Sequence, residues 1–200
     1  MTITYILDGK LYVNLTNRCP NNCDFCIRNN HKGIGDAKNL WLEREPSKEE
    51  VLNDIKRRDL SEFSELVFCG YGEPTCRLDD LLWICKEIRK SSDITIRVDT
   101  NGLSDLINNR ETAPEFENLV DILSISLNAS SAQKYDAICH SQFGLDAFDA
   151  ILTFAKKANK FVANVFLSVV DHDMDKLELK KCKEISQNIG VTLRVRSYIS

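Results

Sequence analysis

Short β-rich runs alternate with helix-length spacers along almost the whole chain, and this alternation most constrains the fold. The strand candidates are residues 11–16, 65–70, 94–101, 122–128, 161–170 and 191–198. Between them lie helical patterns. One opens at Ser47, where Ser-Lys-Glu-Glu reads as a capping box. A second places Leu78, Leu81, Leu82, Cys85 and Ile88 on one face. A third carries Cys182, Ile185 and Ile189 and stops at Gly190, a helix-ending residue. Strand-then-helix repetition implies right-handed crossovers and a parallel sheet. Six strands are two short of a closed eight-stranded barrel. The expected fold is therefore α/β, an open (βα)6 partial TIM barrel of six parallel strands. No linker, low-complexity stretch or internal repeat divides the chain, so residues 1–200 are read as one domain. An antiparallel sheet with one wet face is the alternative, which the helix-length spacers disfavour.

Strand parity adds to this picture. Parallel strands buried on both faces read as continuous apolar runs. Here one parity is polar: Asn14 and Thr16; Thr95, Arg97, Asp99 and Asn101; Ser124, Ser126 and Asn128; Asn164 and Ser168; Thr192, Arg194, Arg196 and Tyr198. The other parity is apolar, as in Leu123, Ile125 and Leu127 or Val191, Leu193 and Val195. Helices should cover the apolar face, leaving a polar lumen into which Arg97, Arg194 and Arg196 point. Asp99 is the lumen's own carboxylate and Glu73 lies nearer the rim, and one or two carboxylates cannot fully pair three guanidiniums. At least one arginine is therefore expected to meet an anionic group of a cofactor or substrate. The competing reading turns the strand-six arginines to water as protection for a sheet edge.

Twenty-six basic and thirty acidic residues give a formal charge of −4, which lacks the broad basic face of a non-specific nucleic-acid binder. No apolar run reaches membrane-spanning length, and residues 1–20 have no basic start followed by an apolar stretch. A cytoplasmic protein is expected, without membrane or nucleic-acid partners. Its eight cysteines then need a reason other than disulfides. Cys69, Cys76, Cys85, Cys139 and Cys182 are scattered, as buried apolar thiols are.

Three cysteines are clustered, in Cys19-Pro-Asn-Asn-Cys23-Asp-Phe25-Cys26, directly after the first strand. That is the strand end where β/α folds carry their sites. Three thiolates can hold three irons of a cubane cluster and leave the fourth open. With His31 they could equally form a structural zinc site. A second motif, Gly70-Tyr71-Gly72-Glu73-Pro74, follows the second strand. Its glycines permit close backbone approach, and its carboxylate accepts ammonium hydrogen bonds.

The Cys-x3-Cys-x2-Cys spacing, with an aromatic before the third cysteine, resembles the signature of the radical S-adenosylmethionine (SAM) superfamily. The glycine motif resembles that family's Gly-Gly-Glu-Pro segment, with Tyr71 as the departure. The similarity covers nearly the whole chain. Phe68-Cys69-Gly-Tyr-Gly-Glu-Pro-Thr75 resembles the small TatD-associated radical SAM group, and glycyl-radical-enzyme activases and carboxy-deazaguanine synthase are also similar. The resemblance implies a [4Fe–4S] cluster on Cys19, Cys23 and Cys26. It implies SAM contacts from Phe25, Gly70, Tyr71, Gly72, Glu73, Asp99, Asn101, Ser126, Asn128 and Ser168. Some relatives carry lysine at the Asn128 position, which puts a carboxylate contact there in question. The implied reaction is reductive cleavage of SAM to a 5′-deoxyadenosyl radical that abstracts hydrogen from an unnamed substrate. A low-potential electron donor such as flavodoxin or ferredoxin is implied too. No protein side chain is assigned as catalytic. A zinc-stabilised or degenerate-barrel regulatory protein is the alternative. Cys69 and Cys76 flank the glycine motif, and a redox role for either competes with inert burial. His172 either faces the cavity or solvent. Trp41 and Trp83 read as packing residues.

Overall fold

A computed structural model describes residues 1–172 and 174–198. Its centre is one seven-stranded sheet in sequence order. The strands are β1 (Thr4–Leu7), β2 (Lys10–Val13), β3 (Glu65–Phe68), β4 (Thr95–Thr100), β5 (Ile122–Ser126), β6 (Asn164–Asp171) and β7 (Thr192–Ser197). From β2 to β7 every pairing is parallel, so the six expected strands are all present and in the expected order. β1 and β7 are the two ends of the strand order, so the sheet is an open partial barrel.

The seventh strand is an addition. β1 pairs antiparallel with β2, Thr4 opposite Val13 and Leu7 opposite Lys10. The turn between them is Asp8-Gly9, with φ of 50° and 69°. Two positive φ values in a two-residue turn match the twist of a hairpin, and Asp-Gly adopts them readily. The strand limits shift by up to three residues, most at the first parallel strand, which ends at Val13 rather than at residue 16, and at β6, which begins at Asn164 rather than at residue 161.

The helices are α1 (Lys48–Lys56), α2 (Leu78–Arg89), α3 (Ser104–Asn108), α4 (Ala132–Cys139), α5 (Asp146–Ala158) and α6 (Lys176–Ile189). Ser47 and Glu50 form the complete capping box of α1, each side chain bonded to the other's backbone N–H. Leu78, Leu81, Leu82, Cys85 and Ile88 are all buried against the sheet. Gly190 ends α6 in the left-handed conformation, φ 83°. The crossover from β5 to β6 holds two helices, α4 and α5, rather than one.

Parity behaves as charge and hydropathy dictate on the central strands. Along β4, Ile96, Val98 and Thr100 are buried while Thr95, Arg97 and Asp99 are partly open. Two expectations need correction. Asn14 does not reach the open lumen; it is fully buried behind Leu40 and Gly70, and its amide nitrogen donates to the Leu40 carbonyl at 2.6 Å. Thr16 is buried too, its hydroxyl bonded to Glu45. On β7 the apolar parity is not fully covered: Val195 is 52% exposed, because a terminal strand has a helix on only part of its outer face. Of the tryptophans, Trp41 is exposed with its ring edge-on to Tyr71, and Trp83 is half-buried under the Lys48 ammonium.

Candidate active site

The loop 19–26 leaves the C-terminal end of β2 and lies against the end of α4. Asn22 N–H donates to the Cys139 carbonyl at 2.9 Å, Asp24 N–H to the Ile138 carbonyl at 3.0 Å, and Gln142 N–H to the Pro20 carbonyl at 2.9 Å. Asn21 Nδ2 donates to the buried Tyr135 hydroxyl at 2.8 Å. The first two satisfy carbonyls that the end of α4 leaves unpaired, and all four fix the loop from outside. Cys26 N–H donates to the Cys23 carbonyl at 3.1 Å, a tight turn between two of the three thiols.

All three thiols are half-buried. The fully buried Cys139 thiol first, and burial second, push the Cys23 thiol up. Burial pushes Cys19 up to about 12. Among the described residues, no three His, Cys, Asp or Glu side chains are grouped to hold a metal ion as they stand. The donor set nevertheless fits an iron–sulfur cluster in type and number: three soft thiols on one short loop, the rest of whose backbone is anchored elsewhere. For the Cys3His alternative, His31 Nε2 is buried without a hydrogen-bond partner, while its carbonyl accepts from the Tyr71 hydroxyl.

The glycine motif sits against this loop. A Cβ on Gly70 would lie 2.2 Å from Asn14 Oδ1, and one on Gly72 would lie 2.3 Å from the Thr16 carbonyl and 2.7 Å from that of Arg18. Only glycine permits that approach. It lets Glu73 N–H donate to the Arg18 carbonyl at 2.7 Å, one residue from Cys19. The Glu73 carboxylate is buried and accepts four bonds from the chain itself. Thr75 N–H (3.0 Å), Thr75 Oγ1 (2.7 Å) and Thr100 Oγ1 (2.7 Å) donate to Oε1, and Asn101 N–H (2.7 Å) donates to Oε2. Burial raises its pKa, against the lowering effect of those bonds. Asn101 in turn aims its side-chain amide at Cys19 Sγ, 4.0 Å away. Tyr71 is buried beneath Trp41 with Tyr5, Ala37 and Leu40, its hydroxyl bonded to the His31 carbonyl. In this structure Tyr71, Gly72 and Glu73 knit strand ends and loops together.

Two cavities flank Phe25. One, of about 310 Å³, includes Asn128, Lys134, His172 and Glu178. Asn128 has a positive φ of 56°, is buried, and its Oδ1 has no hydrogen-bond partner in the structure. The other, of about 290 Å³, runs into the lumen and is lined by Tyr5, Tyr12, Cys26, Gly70, Asp99 and Arg196 among others. Ser126 and Ser168 are partners across β5 and β6, and the Ser168 hydroxyl donates to the Ile125 carbonyl at 3.4 Å. Cys19 opens instead into an outer groove shared with Cys76 and Asn108. His172 stacks on Tyr198, 4.4 Å between centroids, and its ring lies 6.3 Å from that of Phe25, so it faces the cavity.

Arg97 and Arg196 are partly buried in the lumen, whereas Arg194, on the terminal strand, borders the lower cavity but is exposed, as the water-facing alternative expected. Arg97 Nε is 3.3 Å from Asp99, its Nη1 is 3.3 Å from Glu65, and Arg196 Nη2 is 3.3 Å from Asp99 and 2.6 Å from Ser124 Oγ. Glu65, rather than Glu73, is the second carboxylate that pairs with these arginines, because Glu73 is taken up by Thr75, Thr100 and Asn101. Arg194 stacks its guanidinium 3.4 Å above the Phe166 ring. Cys69 and Cys76 are held as neutral thiols, both pushed up to about 12 by burial first of all. The sequence reading also passed over Tyr5 and Tyr12, stacked at 5.0 Å, with the Tyr5 hydroxyl bonded to the Cys69 carbonyl at 3.1 Å.

An open parallel α/β barrel with a three-cysteine loop and a glycine–glutamate turn at its strand ends defines the class. Residues 13–182 match the family model of the radical SAM superfamily, and the chain belongs to that superfamily. An uncharacterized protein of Methanocaldococcus jannaschii is 27% identical over 194 residues, covering 94% of this chain and 57% of that relative. Streptococcus suis SuiB bound to S-adenosylmethionine superposes with a TM-score of 0.66 at 15% identity, over 94% of this chain and 40% of SuiB. A radical SAM methyltransferase from Sphaerobacter thermophilus gives 0.67 at 15% identity, over 97% of this chain and 57% of that one. This chain thus spans little more than half the length of the curated relative it matches.

Proposed function

We propose that this chain is a radical SAM enzyme whose Cys19, Cys23 and Cys26 hold a [4Fe–4S] cluster. When bound, that cluster supplies one electron to SAM and so generates a 5′-deoxyadenosyl radical able to abstract hydrogen from a substrate. The observation that carries the reading is the junction of the two motifs. Glu73 N–H is bonded to the Arg18 carbonyl, and Asn101, bonded to Glu73, reaches Cys19. Cysteine loop, glycine turn and β4 end therefore form one connected unit.

The chain's own residues do the positioning. The α4 end holds the cysteine loop, and the glycines keep the turn tight against it. Gly70, Phe25 and Asp99 border the lumen beside Cys26, and Asn128 offers an unpartnered amide oxygen beside Phe25. These, with Asn101, Ser126 and Ser168, are the residues we assign to SAM. Tyr71, Gly72 and Glu73 serve the same site by holding its walls. The aromatic lumen excludes water from a reactive radical. Residues 1–200 act as one domain in the cytoplasm, reduced by a low-potential donor such as flavodoxin or ferredoxin. Among the described residues, no helix is long and apolar enough to cross a membrane.

The test is anaerobic reconstitution with iron and sulfide, then incubation with SAM and a chemical reductant. Formation of 5′-deoxyadenosine and methionine supports the reading. A reconstituted protein that binds SAM but yields neither contradicts it.

A further inference from the structure

We propose that the lower lumen binds the acidic group, a carboxylate or a phosphate, of a small anionic substrate. This rests on the reading above, that chemistry at the cysteine loop acts on a molecule held in the lumen.

Below the aromatic chamber lies a second cavity of about 460 Å³, lined among others by Lys10, Arg97, Arg194 and Arg196 but by only two carboxylates, Asp8 and Asp99. With Glu65 beside the cavity the four cations meet three carboxylates, still a local cationic excess in a chain of net charge −4. Its cations are not equally committed. Lys10 and Arg97 share Glu65 at 3.0 and 3.3 Å, and Arg97 also pairs with Asp99. Arg196 divides its Nη2 between Asp99 and Ser124 and remains partly open. Arg194 has no carboxylate within ion-pair distance among the described residues; its partner is the Phe166 ring. Stacking on a ring fixes the plane of a guanidinium and leaves its N–H edges to a ligand.

Strand register brings the two open arginines to one point. Arg194 is opposite Ser168 and Arg196 opposite Val170. Being two residues apart, they stand on the same face, about 7 Å apart along the strand. Two forks at that spacing can address one planar or tetrahedral anion, the geometry guanidinium groups recognise best.

The chambers also adjoin. Tyr12, Asp99 and Arg196 line both the lower cavity and the upper one that reaches Cys26 and Phe25. A molecule whose acidic group rests on Arg194 and Arg196 would run its body past Tyr12 toward the cysteine loop. Arginines that merely protected a sheet edge would need neither the aromatic stack nor this connection.

The reconstituted full chain, kept anaerobic, should be titrated with benzoate and phenyl phosphate, and with benzyl alcohol as the neutral analogue. At least one anion should bind about tenfold or more tightly than the alcohol, the worth of a charge-assisted hydrogen bond. Preference for benzoate identifies a carboxylate substrate, and preference for phenyl phosphate a phosphate. Arg194→Gln, which disturbs only a ring contact, should weaken that binding several-fold, and Arg194→Gln with Arg196→Gln about tenfold or more. Equal affinity for anion and alcohol would overturn the proposal, as would unchanged anion affinity in Arg194→Gln. Wild-type 5′-deoxyadenosine formation, measured without any probe, reports separately on the radical reading. Its failure alongside anion binding would leave the anion site standing.

Discussion

The backbone N–H of Asn101 donates to Glu73 Oε2 at 2.7 Å, tying the end of β4 to the turn after β3. Glu73 Oε1 meanwhile takes three further bonds from Thr75 and Thr100. A glutamine cannot reproduce this set, because its NH2 would face either the Asn101 N–H or the three donors at Oε1. Glu73→Gln should therefore lower unfolding stability by about 1–3 kcal/mol, the cost of leaving a buried donor unpaired. A urea midpoint equal to wild type would show that Glu73 does not hold these elements together.

Gly72 is a separate test of the same junction. An added methyl would stand 2.3 Å from the Thr16 carbonyl, a backbone atom with nowhere to move. Gly72→Ala should cost about 1–3 kcal/mol through overpacking and should push the 16–19 backbone away from the turn. Chemical denaturation reads the first effect and iron retention after reconstitution the second. Wild-type values in both would mean that the close approach is dispensable.

Tyr71 tethers the 30–42 segment through its hydroxyl bond to the His31 carbonyl and its edge contact with Trp41. Tyr71→Phe keeps the ring but removes the bond. A loss of about 0.5–1.5 kcal/mol is expected, with faster proteolysis confined to that segment. Unchanged cleavage rates there would assign the tether to ring packing alone.

Much of this was legible in the sequence. The six parallel strands and the α2 face follow from period-2 and period-3.6 patterning, and the cap of α1 from Ser47 and Glu50. The lumen position of Arg97 and Arg196 followed from parity, because charged side chains avoid the helix-covered face; Arg194 shares their parity but is exposed on the terminal strand. Asp8-Gly9 was a hairpin signal present but unread, and with it went Tyr5 and Tyr12. Other features had no local signature. The Glu73 carboxylate is saturated by Thr100 and Asn101, which only the fold brings near, and Cys23 meets Cys139 by the same long-range packing. Likewise, nothing near Arg97 in sequence marks Glu65 as its partner; the β3–β4 register, with Val67 opposite Arg97, makes the pair.

The central claim is that Cys19, Cys23 and Cys26 are the cluster ligands, and iron content tests it most directly. Anaerobically reconstituted wild type should retain about four irons per chain, as one cubane cluster requires. Cys19→Ala, Cys23→Ala and Cys26→Ala should each fall well below that. Cys139→Ala, which removes a buried thiol that acts on Cys23 from outside the loop, should stay close to wild type. Full iron in any of the first three, or loss in Cys139→Ala alone, would contradict the assignment.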